Sequence, residues 1–266
     1  MPTLPEPHRL RATAESFGTH TVRYDRARPG YPPETVTAIV TAIVTAPRGL
    51  DVLDVGCGTG ISSRQFTAAG CRVLGVDPDP RMAEFARTTG LDVEVARFED
   101  WDPAGRTFDL VVAGQSWHWV DPVAGAAKAA AVLRPAGRLA VFWNVAQPPD
   151  TLAEAFAAVY RAALPGSPLD RAATRASDGY APMFTTAAGG MRACGAFGEL
   201  AEWRHEWERV YTRDEWLDAV PTHGGHNLLP PEKLAELLDG FGAAVDAVGG
   251  SFPMTYTTVV VTAARA

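Results

Sequence analysis

The sequence predicts a single α/β domain built on a doubly wound sheet, and three observations carry that expectation. Leu50 to Val55 is a short apolar run ending in a glycine cluster, and Arg72 to Asp77 repeats the pattern after Ile61 to Ala69, a segment of helical length. The alternation continues as far as Trp143, and strands that alternate with helices pair in parallel through right-handed crossovers. The chain has 266 residues, 47% of them apolar, which suffices for one sizeable core with some extra elements.

Asp92 to Ala96, Phe108 to Ala113 and Arg138 to Trp143 read as three further strands, with Arg81 to Thr88 and Pro122 to Leu133 as helices between them. Pro135-Ala136-Gly137 closes the second of those helices and opens the fifth strand. From Pro148 to about Phe197 the chain is rich in Ala, Gly and Pro with isolated Tyr160, Tyr180, Met183 and Phe184, and reads as helical insertions over the sheet's rim. Glu199 to Tyr211 mixes aromatic and charged residues, as a strand exposed on one side does. Thr212 with Glu215 forms a capping box for a short helix, and Pro231 suits a first helical turn. Leu234, Leu238, Phe241, Val245 and Val248 fall at spacings of three and four, giving one apolar helix face to pack on the sheet. Thr255 to Thr262 is β-branched and apolar, a terminal strand. No internal repeat or low-complexity linker interrupts the chain.

Composition narrows the function. No stretch approaches the roughly 18 to 20 uninterrupted apolar residues of a membrane span, and the Ala/Val-rich run from Thr35 to Ala46 is broken by threonines. The amino terminus, with Pro2, Pro5, Glu6 and Pro7, lacks the basic-then-apolar order of a secretory signal, so a cytoplasmic location is expected. Cys57, Cys71 and Cys194 are too few and too scattered for a disulfide framework or a zinc ligand set. A formal net charge of −7 argues against a general grip on nucleic acid and favours a small acceptor.

The most specific segment is Leu53-Asp54-Val55-Gly56-Cys57-Gly58-Thr59-Gly60, set between an apolar strand and a helix. Its glycines let the backbone approach a ligand where a Cβ would intrude. A dinucleotide loop carries Gly at the last position of G-x-G-x-x-G, and here that position is Ile61, which weakens a nicotinamide reading. Asp54 would repel a pyrophosphate and attract the ammonium group of an amino-acid moiety. Asp77, about 20 residues beyond the loop at the tip of the second strand, stands where a carboxylate accepts hydrogen bonds from ribose hydroxyls.

This segment resembles the first motif of class I S-adenosylmethionine-dependent methyltransferases. Phe17 to Pro32, with Tyr24, Arg28 and Arg-Pro-Gly-Tyr-Pro, the block Gln115-Ser116-Trp117-His118-Trp119-Val120-Asp121, and the tail from Tyr211 to Thr262 resemble a subgroup of small-molecule methyltransferases common in bacteria, of the methyltransferase type 11 kind. The resemblance implies a Rossmann-like, seven-stranded, mostly parallel sheet whose last strand is antiparallel and inserted beside the sixth, with helical insertions covering the active site. It implies 1–47 as an amino-terminal lid segment, 48–147 as the donor-binding core, 148–197 as a helical insertion and 198–266 as carboxyl-terminal strands and helices. It also implies S-adenosylmethionine as cofactor, with Asp54, Gly56, Cys57, Gly58, Thr59, Gly60, Asp77, Pro78, Met82, Phe98, Glu99, Gln115, Tyr24 and Arg28 as its binding residues. Arg28 would pair with the donor carboxylate. Arg97 departs from the family pattern, which often has an acidic residue there for the adenine.

In a doubly wound sheet, ligands lie outside the carboxyl ends of the strands, so the fourth strand delivers Trp117, His118 and Trp119 to the crevice of the glycine loop. His118 is a candidate general base, since its unperturbed pKa of about 6.5 suits removal of a proton from an acceptor; a loop-bonding histidine is the other reading. Tyr31, Trp117, Trp119, Asn144 and His223 are candidate acceptor contacts. His223 and His226 offer too few ligands for a metal, and none is expected. Beside methyl transfer to a small organic acceptor stand a donor-binding protein that does not methylate, whether cyclase or regulatory module, and, further off, a nicotinamide oxidoreductase. The oligomeric state and the atom methylated stay open.

Overall fold

A computed structural model of the protein describes residues 17–43, 49–173 and 179–266. The amino-terminal prolines and the end of the Ala/Val-rich run lie outside the described residues. A turn of 3₁₀ helix, Phe17–His20, leads into α1 (Thr21–Ala27) and then α2 (Pro33–Thr41), which starts on a proline whose missing N–H costs nothing there. The alternating core follows: β1 (Asp51–Val55), α3 (Ile61–Ala68), β2 (Arg72–Asp77), α4 (Pro80–Thr88), β3 (Asp92–Val95), β4 (Phe108–Gly114), α5 (Pro122–Val132) and β5 (Leu133–Gln147). Three helices come next, α6 (Asp150–Ala163), α7 (Pro168–Ala173) and α8 (Ala181–Cys194). A long strand β6 (Phe197–Thr212), helices α9 (Arg213–Ala219) and α10 (Pro231–Ala247), and β7 (Ser251–Arg265) complete the chain.

The seven strands form one sheet in the order β3-β2-β1-β4-β5-β7-β6. β1 to β5 are parallel, and β7 runs antiparallel between β5 and β6. Both faces of the central strands are buried, which is why they read as unbroken apolar runs. Period-two alternation sends Leu53, Val55, Val111, Ala113, Val141 and Trp143 to one face, under α5 and α8. Val52, Leu110, Val112, Ala140 and Phe142 go to the other, under α2 and α3. A third cluster joins α6, α9 and α10 to the outer ends of β6 and β7 through Phe156, Trp216, Phe241 and Phe252.

Two details depart from the sequence expectation. The Pro135-Ala136-Gly137 turn does not separate helix from strand: Leu133 already pairs with Phe108, and the register then jumps to Leu110 opposite Arg138, so the turn is a bulge inside β5. In α10 the buried face is Leu237, Phe241 and Val245, with Val248 exposed, because the helix packs on α6 rather than flat on the sheet. The capping box forms as expected: Glu215 N–H donates to Thr212 Oγ1 at 3.3 Å, and Thr212 N–H donates to Glu215 Oε2 at 2.9 Å. Among the described residues no helix is long and apolar enough to cross a membrane.

Candidate functional site

The carboxyl ends of β1, β2, β4 and β5 open into a cleft of about 560 Å³, roofed by α1, the turn before α8 and the loop after α9. Its volume falls in the range typical of small-molecule sites. The glycine loop forms one wall, and its glycines serve different needs. A Cβ on Gly56 would sit 2.6 Å from the Ser116 Cβ, so this glycine lets β1 and the β4 loop close on each other, where Ser116 Oγ donates to Val55 O. Gly58, at φ 56°, lines the cleft and has open space where its Cβ would be.

Asp77 is buried at the tip of β2. Its Oδ2 accepts from Gly58 N–H and its Oδ1 from Asp79 N–H, both at 2.8 Å. Each oxygen keeps a lone pair beyond these bonds. Burial raises the carboxyl pKa to about 6 against the pull of the two N–H groups, and the nearby Asp79 and Asp54 add to the rise. Pro78, Met82, Phe98 and Glu99 line the same end. Glu99 Oε1 accepts from Asp121 N–H at 3.0 Å and faces Arg97 at 3.6 Å.

Seventeen of the twenty residues singled out from the sequence line this cleft, and Asp54, Gly60 and Trp117 do not. Against expectation, Asp54 is fully buried behind the loop, where the hydroxyls of Ser62 and Ser63 both donate to its Oδ2 at 2.6 Å. It ties β1 to the first turn of α3, and burial raises its pKa to about 6. Gly60 faces away, and a Cβ there would lie 2.3 Å from Leu91 Cδ1. Trp117 is core, 6.2 Å from the Phe98 ring, while its neighbour but one, Trp119, faces the cleft.

Two further expectations change character inside the cleft. Trp143 Nε1–H donates to His118 Nδ1 at 3.2 Å, which puts the proton of the neutral ring on Nε2. Burial lowers the His118 pKa to about 4, so the ring stays neutral and offers a donor rather than a proton acceptor. Asn144 has both ends of its amide engaged: Nδ2 donates to Gly30 O at 2.9 Å, and Oδ1 accepts from Thr258 Oγ1 at 2.7 Å. It fastens the segment after α1 to the sheet. Gln115 takes φ 56°, held by its N–H donating to Phe142 O at 2.8 Å. Gln65 clasps Tyr31 from behind, accepting from Tyr31 N–H at 3.0 Å and donating to Tyr31 O at 2.6 Å.

At the far end stand Tyr24, Arg28, Tyr31 and His223. Burial drives the Tyr31 hydroxyl well above its usual range and His223 well below its own. Burial likewise pushes the Cys57 thiol well up, so it stays protonated in the loop. His226 is bonded to Tyr160 OH at 2.8 Å, and among the described residues no group of three or more His, Cys, Asp or Glu is placed to hold a metal ion.

Sequence reasoning missed Tyr211, Trp216 and Tyr256 and did not give Tyr180 or Met183 a site role, yet all five line the cleft. Tyr180 and Met183 carried a signal, as isolated large side chains in an Ala- and Gly-rich stretch. Tyr211 and Tyr256 carried none, because only the pairing of β6 with β7 brings their hydroxyls to 2.8 Å.

Residues 53–141 match the family model described as a methyltransferase domain. An uncharacterized methyltransferase of Mycobacterium bovis is 38% identical over 132 residues, 48% of this chain and 52% of that relative. The chain thus spans about half the length of the curated relatives it matches. A solved structure from Anaeromyxobacter dehalogenans, provisionally described as a type II methyltransferase, superposes with TM-score 0.63 at 22% identity, over 88% of this chain and 97% of that one. Phosphoethanolamine N-methyltransferase 2 of Haemonchus contortus, solved with phosphomonomethylethanolamine and S-adenosylhomocysteine, superposes with TM-score 0.52 at 14% identity, over 93% of this chain and 57% of that one. At these identities the solved structures establish the fold alone. Residues 53–141 are thus similar to a methyltransferase domain, and the sheet around them, with one antiparallel strand set between the fifth and the sixth, has the fold of these solved methyltransferase structures.

Proposed function

We propose that the protein transfers a methyl group from S-adenosylmethionine to a small organic acceptor. The observation that carries this reading is Asp77: a buried carboxylate fixed by two backbone N–H groups beside an open glycine, with lone pairs left for a vicinal diol. Those residues fit a nucleoside. Met82 and Phe98 supply apolar contact for its base, and Gly58, Thr59 and Gln115 border the amino-acid part. When bound, S-adenosylmethionine supplies a methyl on a sulfonium, which a nucleophile displaces in line as the sulfur leaves.

The chain's own part is to bind, orient and exclude water. Tyr31, Trp119 and Trp216 wall the acceptor end, and dry walls favour a reaction in which charge disappears. His118 donates from Nε2 to orient the acceptor. Purified protein stripped of ligand should bind S-adenosylhomocysteine in calorimetry and NAD should not compete; no affinity for the nucleoside would end the proposal. With a turned-over acceptor, His118→Ala should lower kcat while leaving S-adenosylhomocysteine affinity near wild type. With donor and acceptor saturating, the wild-type kcat should show no limb near pH 6.5, where a histidine base would impose one.

A further inference from the structure

One cation in the cleft has no carboxylate partner among the described residues. Helix α1 carries Arg23, Asp25 and Arg26, and each of these is paired: Arg23 and Arg26 with Asp218, Asp25 with Arg64. Arg28, one residue past the helix, differs. Among the described residues no carboxylate lies within 4.0 Å of it, and its guanidinium rests over the Tyr24 ring at 5.5 Å. Arg97, the other arginine of the cleft, faces Glu99. A guanidinium is always charged and presents a flat fork of donors that matches a carboxylate.

Its position says which part of the cleft it serves. Of the groups whose charges bear on Arg28, Tyr24 and Tyr31 lie on its own segment, while Tyr180, Tyr256 and His223 belong to the turn before α8, to β7 and to the loop after α9. Of these, β7 lies between β5 and β6, and α8 packs against both β6 and β7. Asp77 and Phe98 belong to β2 and the turn after β3, on the opposite side. Among the described residues no group at this end is suited to take a proton: His118 has its Nδ1 occupied, burial holds His223 well below its usual range, and Tyr31 and Tyr256 have hydroxyls that burial keeps protonated. A nucleophile there has to arrive with its lone pair already free.

We propose that Arg28 holds the carboxylate of a small organic acid and that this carboxylate is the group methylated, giving a methyl ester. The proposal rests on the methyl-transfer reading above and names its acceptor class. A carboxylate oxygen donates an electron pair to the methyl carbon, the carbon–sulfur bond breaks with its pair staying on sulfur, and no proton moves. The guanidinium engages one lone pair on each oxygen, which leaves another on each for attack.

The test uses the whole chain. S-adenosylhomocysteine affinity is measured first by calorimetry, and its absence would sink methyl transfer itself. The protein saturated with S-adenosylhomocysteine is then titrated with benzoate, hexanoate and succinate and with the matching amides. Acids should bind and amides should bind at least tenfold more weakly, and with S-adenosylmethionine a bound acid should yield its methyl ester by mass spectrometry. Arg28→Met should weaken acid binding tenfold or more with S-adenosylhomocysteine affinity within about twofold, and Arg28→Lys should restore part of the loss. The proposal is overturned if the loaded wild-type protein shows no preference for acids over amides. It is equally overturned if Arg28→Met weakens S-adenosylhomocysteine tenfold and leaves that preference intact, the result expected of a side chain that pairs with the donor carboxylate.

Discussion

Asp77, the centre of the proposed donor site, combines two fixed backbone hydrogen bonds with a pKa close to a protonation boundary. Hydrogen bonds to a charged acceptor are worth about 1.5–3 kcal/mol each. On the proposed contact with a vicinal diol, Asp77→Ala removes the acceptor for two hydroxyls and should therefore weaken S-adenosylhomocysteine on the order of a hundredfold in calorimetry. The pKa of about 6 adds a pH dependence with a definite sign. Hydroxyl donors favour the ionised carboxylate, so affinity should be level above pH 6 and fall as pH drops below it. An affinity constant from pH 8 to pH 5 would remove Asp77 from the contact. At this scale the sequence was legible where chemistry is local. A carboxylate at a strand tip next to a glycine loop declares itself, whereas Trp117 and Trp119 are indistinguishable until a 3₁₀ turn decides which ring faces the cleft. His118 was placed but its role was not, because Trp143, 25 residues on, fixes its tautomer.

Among the elements, α8 reaches the cleft's roof at its start, since Tyr180 leads into it and Met183 lies in its first turn. It is held to α5 by a close approach: a Cβ on Gly190 would lie 2.1 Å from Pro122 O, with backbone on the other side that cannot yield cheaply. Gly189, adjacent but exposed, has nothing within 4 Å of that position. Gly190→Ala should thus destabilise by about 1–3 kcal/mol through overpacking, while Gly189→Ala should stabilise by about 0.5–1 kcal/mol through helix propensity. Chemical denaturation of the pair reads both signs, and equal effects would contradict the helix contact. The sequence showed helices here without showing which faces meet. It predicted the α9 capping box correctly because Thr212 and Glu215 satisfy each other three residues apart, and misjudged the α10 face because its partner, α6, lies far away in the chain.

For the whole molecule, the parallel half of the sheet followed from alternation, but the antiparallel insertion of β7 did not. No periodicity distinguishes an apolar strand pairing up from one pairing down, and only the family resemblance supplied it. Burial on this scale also sets the response to acid. His118 and His226 are lowered to about 4 and His223 well below 6.5, so the unfolded chain binds these protons first. Their stability is fully present above pH 6.5 and is lost as pH falls from 6.5 towards 4. Asp54 and Asp77, raised to about 6, act oppositely between pH 6 and 4, gaining stability on protonation. Three groups against two leave a net loss, so Tm by calorimetry should decline from pH 7 to pH 5; a rising Tm would contradict the buried neutral histidines. The segment that carries Arg28 is fastened unequally. Its helix is tied by ion pairs of a kind worth little in water, Arg23 and Arg26 to Asp218 and the less exposed Asp25 to Arg64, while its inner end is stitched by the buried amide of Asn144. Loosening of this segment should therefore begin where water competes for the ion pairs, and leave the sheet undisturbed.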